Sequence, residues 1–192
     1  MKQKIILASS SLRRKQILRK AGIEFRAITP RVRENASLAL PPRKHVEALA
    51  ERKALEVARR VRGGIVIGAD TLLACKGKTL GKPRNMGQAS AMLKHMSGCR
   101  VDVYTGVAVI DVKTGRKVVD SEKATLLMKK MTGEEIREYV RTGEPIGKAG
   151  AIAIQGIGAK FISLVSGSRS NVMGLPLQIL RRSLKRLGVE MA

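Results

Sequence analysis

The chain has 192 residues, enough to bury a real core as one domain or as one domain with two lobes. Aromatics make up only 2%, so the core must come from Ile, Leu, Val, Ala and Met, and a mean hydropathy of −0.07 argues against a membrane protein, as does the absence of any apolar run near the roughly 20 residues that span a bilayer. Thirty-eight Lys+Arg against 15 Asp+Glu give a net charge of +23, which is either a basic solvated surface or the footprint of a polyanionic partner, nucleic acid or the phosphates of a nucleotide.

The basic start MKQKIILA has the opening of a signal peptide, but its apolar run breaks after a few residues and reads as the first strand of a cytoplasmic protein. Residues 5–9 are expected as a strand and 11–21 as a helix, with Ser11 as N-cap and Gly22 just past the end. A long amphipathic helix is expected over 43–62, with Val46, Leu49, Ala50, Ala54, Val57, Ala58 and Val61 on one stripe. GGIVIGAD then reads as a buried strand ending near Asp70, and TLLACKGKTLG continues as a hairpin. Asn85 caps a third helix whose apolar side carries Met86, Ala89, Leu93 and Met96.

The second half is richer in strand signals. Residues 101–111 read as a strand, KTG at 113–115 as a turn, 117–120 as a strand and 122–130 as another. Thr132 to Glu135 is a capping box opening a helix to about Arg141, closed by Gly143. AGAIAIQG and KFISLVSG are expected as two further strands, and the last helix runs over 177–187 behind Pro176. Strands and helices alternate without a strict βαβ repeat, which predicts an α/β or α+β fold on a largely mixed sheet.

Cys75 and Cys99 form no CxxC pair, and His45 and His95 are the only histidines, so a structural zinc site is disfavoured and two buried free thiols are expected. The basic residues lie in clusters along the chain (13–15, 59–62, 181–186) rather than in one tail, and too few aromatics exist to stack single-stranded bases. Among the few acids, helix decoration and turn capping account for most. Glu34, Asp70 and Glu144 remain. Asp70 follows an apolar strand, where sheet ligands bind, and suits either metal coordination and water activation or the capping of a turn. Lys53 lies at the edge of its helix's apolar stripe, where it either snorkels to water or holds an anion. Lys82, between Gly81 and Pro83, sits in a stiff loop that shapes a turn or fixes an ammonium on phosphate.

Taken together these stretches resemble the Maf family of nucleoside triphosphate pyrophosphatases. LASSSLRR at 7–14, GADTLL at 68–73 with LGKP at 80–83, EPIGKAGAIAIQG at 144–156 and GSRSNVMGLPL at 167–177 match its motifs in order, nearly end to end. The resemblance implies a single domain over 1–192: an elongated α/β fold with a twisted mixed sheet flanked by helices, two lobes around a central cleft, related to the inosine triphosphate pyrophosphatases and usually homodimeric. It implies hydrolysis of a nucleoside triphosphate to the monophosphate and pyrophosphate with Mg²⁺ or Mn²⁺. Asp70 would be the general base, with Glu34 helping to organise metal and water. Ser9, Ser11, Arg13, Arg14, Lys53 and Lys82 would hold the triphosphate, Lys82 next to the chemistry. Arg13, Thr71 and Gln155 resemble the subgroup that prefers dTTP and UTP over the one that prefers 7-methyl-GTP. Leu12, Val101, Ile152 and Arg169 depart from the common pattern without removing a proposed acid, base or phosphate ligand. Against the enzyme stands a basic nucleic-acid-binding or cell-division regulatory protein on the same fold.

Overall fold

The computed structural model describes residues 3–32 and 40–189, the side chain of Val165 apart. The expected mixed α/β architecture is present. Seven strands form one sheet in the order β2-β1-β3-β5-β6-β7, with β4 paired to β3. They are β1 (Ile5–Ala8), β2 (Arg26–Ile28), β3 (Ile65–Cys75), β4 (Lys78–Leu80), β5 (Arg100–Asp111), β6 (Lys117–Met128) and β7 (Ile162–Ser166). The helices are α1 (Leu12–Lys20), α2 (Pro42–Ala58), α3 (Met86–Met96), α4 (Gly133–Arg141), α5 (Arg169–Val172) and α6 (Leu177–Arg186). β1 pairs in parallel with β2 and β3, whereas β3–β4 and β6–β7 are antiparallel. No helix among the described residues is long and apolar enough to cross a membrane.

The chain divides into two compact units, one drawn from Met1–Asp70, Thr105–Glu122 and Met173–Ala192, the other from Thr71–Tyr104 and Lys123–Val172. In the first unit β1 beyond Ile5, β3 up to Asp70 and β5 from Thr105 are buried on both faces, so they read as continuous apolar runs and sort by alternation, whereas β2 is largely exposed. Leu7, Ile65, Ile67, Val107 and Val109 pack with Ile17 and Leu18 of α1 and Ile179, Leu180 and Leu184 of α6. Ile6, Ala8, Val66, Ala108 and Ile110 pack with Ala50, Ala54 and Val57 of α2. In the second unit Leu73, Val101, Val103, Leu126 and Met128 meet Leu93 and Met96 of α3 and Ile136, Tyr139 and Val140 of α4.

Local signals explain most boundaries. Ser11 caps α1, its Oγ accepting from Arg14 N, and Gly22 at φ +70° ends it, with Ile23 N donating to Leu18 O. Asn85 caps α3, and both halves of the Thr132/Glu135 capping box are formed on α4.

Several expectations are corrected. α2 ends at Ala58 rather than 62. The two strands expected over 117–130 are one unbroken strand, β6. Met86 is exposed, at the very start of α3, rather than on its buried side. AGAIAIQG is no strand: Gly150 and Ala151 adopt left-handed φ of +64° and +57°, and the segment coils through a short 3-10 turn, Ala149–Ala151. A second 3-10 turn, Ile157–Phe161, precedes β7. β2 and α5 carry too few residues to have been legible. Both cysteines are free. Cys75 is buried and Cys99 half-buried, and burial, reinforced by the neighbouring Cys99, pushes the Cys75 thiol pKa up.

Candidate functional site

The sequence places Asp70 at the end of β3, but that strand runs on to Cys75. The parallel ladder of β1 with β3 nevertheless closes at Ala8–Gly68, so Asp70 lies just past the carboxyl end of β1's ladder, where sheet ligands bind. By alternation Asp70 shares a face with Val66 and Gly68, the face covered by α2. Gly68 sets that packing. A Cβ there would run into Ala50 O and into Ala54, and one at Gly106 would run into the backbone of Val46. Two glycines and two alanines thus let α2 lie against the sheet. One turn along the helix from Ala50, Lys53 is then carried to Asp70, its Nζ 2.6 Å from Oδ1.

Both partners are enclosed, with side chains 5% and 12% exposed, so this is a buried charge-assisted hydrogen bond and not a surface ion pair. The lysine at the stripe's edge therefore does not snorkel to water. Its anion is the carboxylate.

The β1–α1 junction forms the second element of the site. Ser9 is buried, and its Oγ accepts from Ser11 N at 3.1 Å and from Arg14 Nη1 at 3.4 Å. Arg14 also donates from Nε to Gly174 O at 2.7 Å, a contact that sequence reasoning missed. Arg14 therefore ties the strand end and the helix start to the segment ahead of α6. Arg13 is half-buried in the first turn of α1. The helix dipole and two guanidiniums at one terminus make a surface suited to anions.

The remaining candidates divide as follows. Glu34 lies outside the described residues. Thr71 directly follows Asp70, is half-buried and points to the opposite face of β3. Lys82 is exposed on the segment after β4, and the carbonyl of its neighbour Gly81 accepts from Gly150 N at 2.8 Å, joining the LGKP and AGAIAIQG segments. Gln155 is exposed between the two 3-10 turns. Thr71, Lys82 and Gln155 all belong to the second unit, whereas Ser9, Ser11, Arg13, Arg14, Lys53 and Asp70 belong to the first.

No group of three or more His, Cys, Asp or Glu that could hold a metal ion exists among the described residues. A hard divalent cation such as Mg²⁺ is commonly held by one or two carboxylates together with substrate phosphates and water. The Asp70 carboxylate, an oxygen donor just past the end of the β1–β3 ladder, fits that mode and not a preformed protein cage.

A mixed α/β sheet with parallel strands at one edge and a buried carboxylate–ammonium pair just past the end of the β1–β3 ladder puts that pair where open α/β sheets bind their ligands. The profile of the family described as Maf-like protein matches residues 4–187, and the chain belongs to that family. Its relatives include proteins named dTTP/UTP pyrophosphatase. That of Pelotomaculum thermopropionicum is 45% identical over 186 residues, covering 97% of each chain. That of Caldicellulosiruptor saccharolyticus is 43% identical, covering 98% of this chain and 97% of its own. That of Desulforamulus reducens is 43% identical, covering 97% of each.

Proposed function

We propose that the chain is a hydrolase of nucleotide anhydrides, a nucleoside triphosphate pyrophosphatase that converts dTTP and UTP to the monophosphate and pyrophosphate. The names borne by full-length relatives at 41–45% identity support the reaction and the substrate class. The single structural observation that carries the reading is the buried Lys53–Asp70 pair beside the serine- and arginine-bearing start of α1.

In this reading Asp70 takes a proton from the water that attacks the α-phosphorus. The new O–P bond forms as the bond from the α-phosphorus to the bridging oxygen breaks, and that oxygen leaves with the pyrophosphate. Lys53 fixes the carboxylate's orientation and supplies positive charge where the substrate is anionic. Ser9, Ser11, Arg13 and Arg14 bind the phosphates through hydroxyls, guanidiniums and the N–H groups of the helix start, with Lys82 as a further catalytic cation. Thr71, Gln155 and Arg13 read the base, the amide of Gln155 offering a donor and an acceptor to a pyrimidine edge. Mg²⁺ or Mn²⁺ would be held by Asp70 and Glu34, and when bound it neutralises phosphate charge and stabilises the leaving pyrophosphate. We further read residues 1–192 as one functional domain, cytoplasmic and homodimeric, on the family resemblance.

A panel of nucleoside triphosphates with Mg²⁺ and with Mn²⁺, scored for pyrophosphate and orthophosphate separately, tests the reading. Pyrophosphate from dTTP and UTP is expected. Orthophosphate with a diphosphate product would overturn the reaction type, and a preference for 7-methyl-GTP would overturn the substrate class alone. Asp70→Asn is expected to lower kcat by at least about 10²-fold with unchanged circular dichroism. Near wild-type turnover would remove Asp70 as the base.

A further inference from the structure

Glu144 has no role in the chemistry just described, yet it is among the most elaborately held acids of the second unit. Its Oε1 accepts from Ile157 N at 3.0 Å and its Oε2 from Gly158 N at 2.9 Å. Its third partner is the hydroxyl of Tyr139. That hydroxyl in turn accepts from Ala153 N at 3.3 Å. One connected pair of side chains therefore grips the chain two residues before Gln155 and again two and three residues after it. Gln155 itself stays exposed.

The surrounding residues are matched to this grip. Gly156 adopts φ +105°, ψ −154°, a conformation open essentially to glycine alone, and a Cβ there would collide with Glu144 Oε1. A Cβ at Gly158 would collide with the Tyr139 hydroxyl. The other end of the device is equally fixed. The Tyr139 ring is 1% exposed and packs against Phe161 with centroids 5.7 Å apart. Thr142 Oγ1 donates to Tyr139 O at 2.7 Å and accepts from Glu144 N at 3.2 Å, and Gly143 turns the chain at φ +73°. The carboxyl end of α4 is thus shaped to aim a carboxylate and a phenol at one loop.

We propose that Tyr139 and Glu144 form a clasp whose task is to hold Gln155 in the single orientation that recognises the pyrimidine, which makes both of them positioning residues for specificity. This rests on the reading of Gln155 given above. A flexible loop would present the same amide in many orientations, each binding costing the entropy of ordering it, and the clasp removes that cost beforehand. A plain staple of the fold would need no such bracketing of one exposed side chain.

Tyr139→Phe, which keeps the ring against Phe161 and deletes only the hydroxyl, and Glu144→Gln are compared with Gln155→Ala and with both double variants. Pyrophosphate release from dTTP, UTP and GTP is measured in the full chain. Each clasp variant is expected to raise KM for dTTP and UTP about tenfold with a smaller fall in kcat, narrowing the preference over GTP, as befits loss of ground-state and transition-state binding together. In the Gln155→Ala background the same changes are expected to have no further effect on KM. Amide exchange at Ile157 and Gly158 is expected to quicken in Glu144→Gln. Equal effects with and without Gln155 would overturn the clasp, as would silent Tyr139→Phe and Glu144→Gln beside a defective Gln155→Ala, which leaves the reading of Gln155 standing. A silent Gln155→Ala would overturn that reading, and the clasp's role in specificity with it.

Discussion

At the level of single residues, Lys53 and Asp70 form a pair whose partners need each other for folding as well as for chemistry. Lys53→Met leaves a buried carboxylate without its cation, and the expected cost is about 3–5 kcal/mol, read from urea unfolding. Asp70→Asn is milder, because the amide oxygen still accepts from the ammonium. The double variant is expected to lose less than the sum of the two, and strict additivity would show that the pair is not coupled in solution. Glu144 makes a second prediction. Burial alone would raise its pKa, but the Gly158 N–H, the Tyr139 hydroxyl, the Ile157 N–H and Lys148 outweigh it and hold the carboxyl below its ordinary range. A group held low in the folded state binds its proton more readily in the unfolded one. Its stabilisation is therefore complete above the ordinary carboxylate range and drains away as pH falls through the lowered value. Melting temperature in Glu144→Gln should accordingly depend less on pH across the acidic range than it does in the wild type. Elimination among the acids singled out Asp70 and Glu144 from the sequence alone. Their partners were less legible. Lys53 stood out only by sitting at a stripe's edge, and Tyr139 had as its signal only that it is one of four aromatic residues, placed on an amphipathic helix.

Among the elements, α2 shows how small residues control chemistry at a distance. Gly68→Ala would push the helix off β3, since its new Cβ meets backbone atoms that cannot move aside. Overpacking of this kind costs about 1–3 kcal/mol, and here it also draws Lys53 away from Asp70, so activity should fall more than thermal stability does. Thr132→Ala, by contrast, removes a cap that has no part in the proposed chemistry and should cost about 1 kcal/mol with kcat unchanged. Caps, turn glycines and the amphipathic stripes were readable because each is a local signal. The AGAIAIQG segment misled because an alternation of small and apolar residues mimics a strand. What decides its path is tertiary: a left-handed Ala151, the Gly150 N–H on Gly81 O and the grip of Tyr139 on Ala153. The extension of β3 past Asp70 was hidden for a related reason, because a carboxylate amid apolar residues looks like a strand's end until its buried lysine is known.

For the molecule as a whole, charge and chain order matter most. With a net +23, the folded protein repels itself, and the described ion pairs relieve this only locally, as at Lys123–Asp102 and Arg182–Asp120. Moderate salt should therefore raise the melting temperature by screening, and a melting temperature that falls with added salt would show that the surface pairs outweigh the repulsion.

The Arg14–Gly174 hydrogen bond spans 160 positions, and the core of the first unit takes one wall from α1 and another from α6. A ribosome delivers α1 well before α6. The second unit draws its core from residues 71–172 and has all its parts in hand while the first still lacks α6. The order of completion is thus inverted: the earlier-made β1 and α1 must wait, with Leu7, Ile17 and Leu18 uncovered, until α6 emerges. A nascent chain stalled before residue 173 would expose that half-built core to chaperones, and protection of α1 from proteolysis would appear only when α6 clears the exit tunnel.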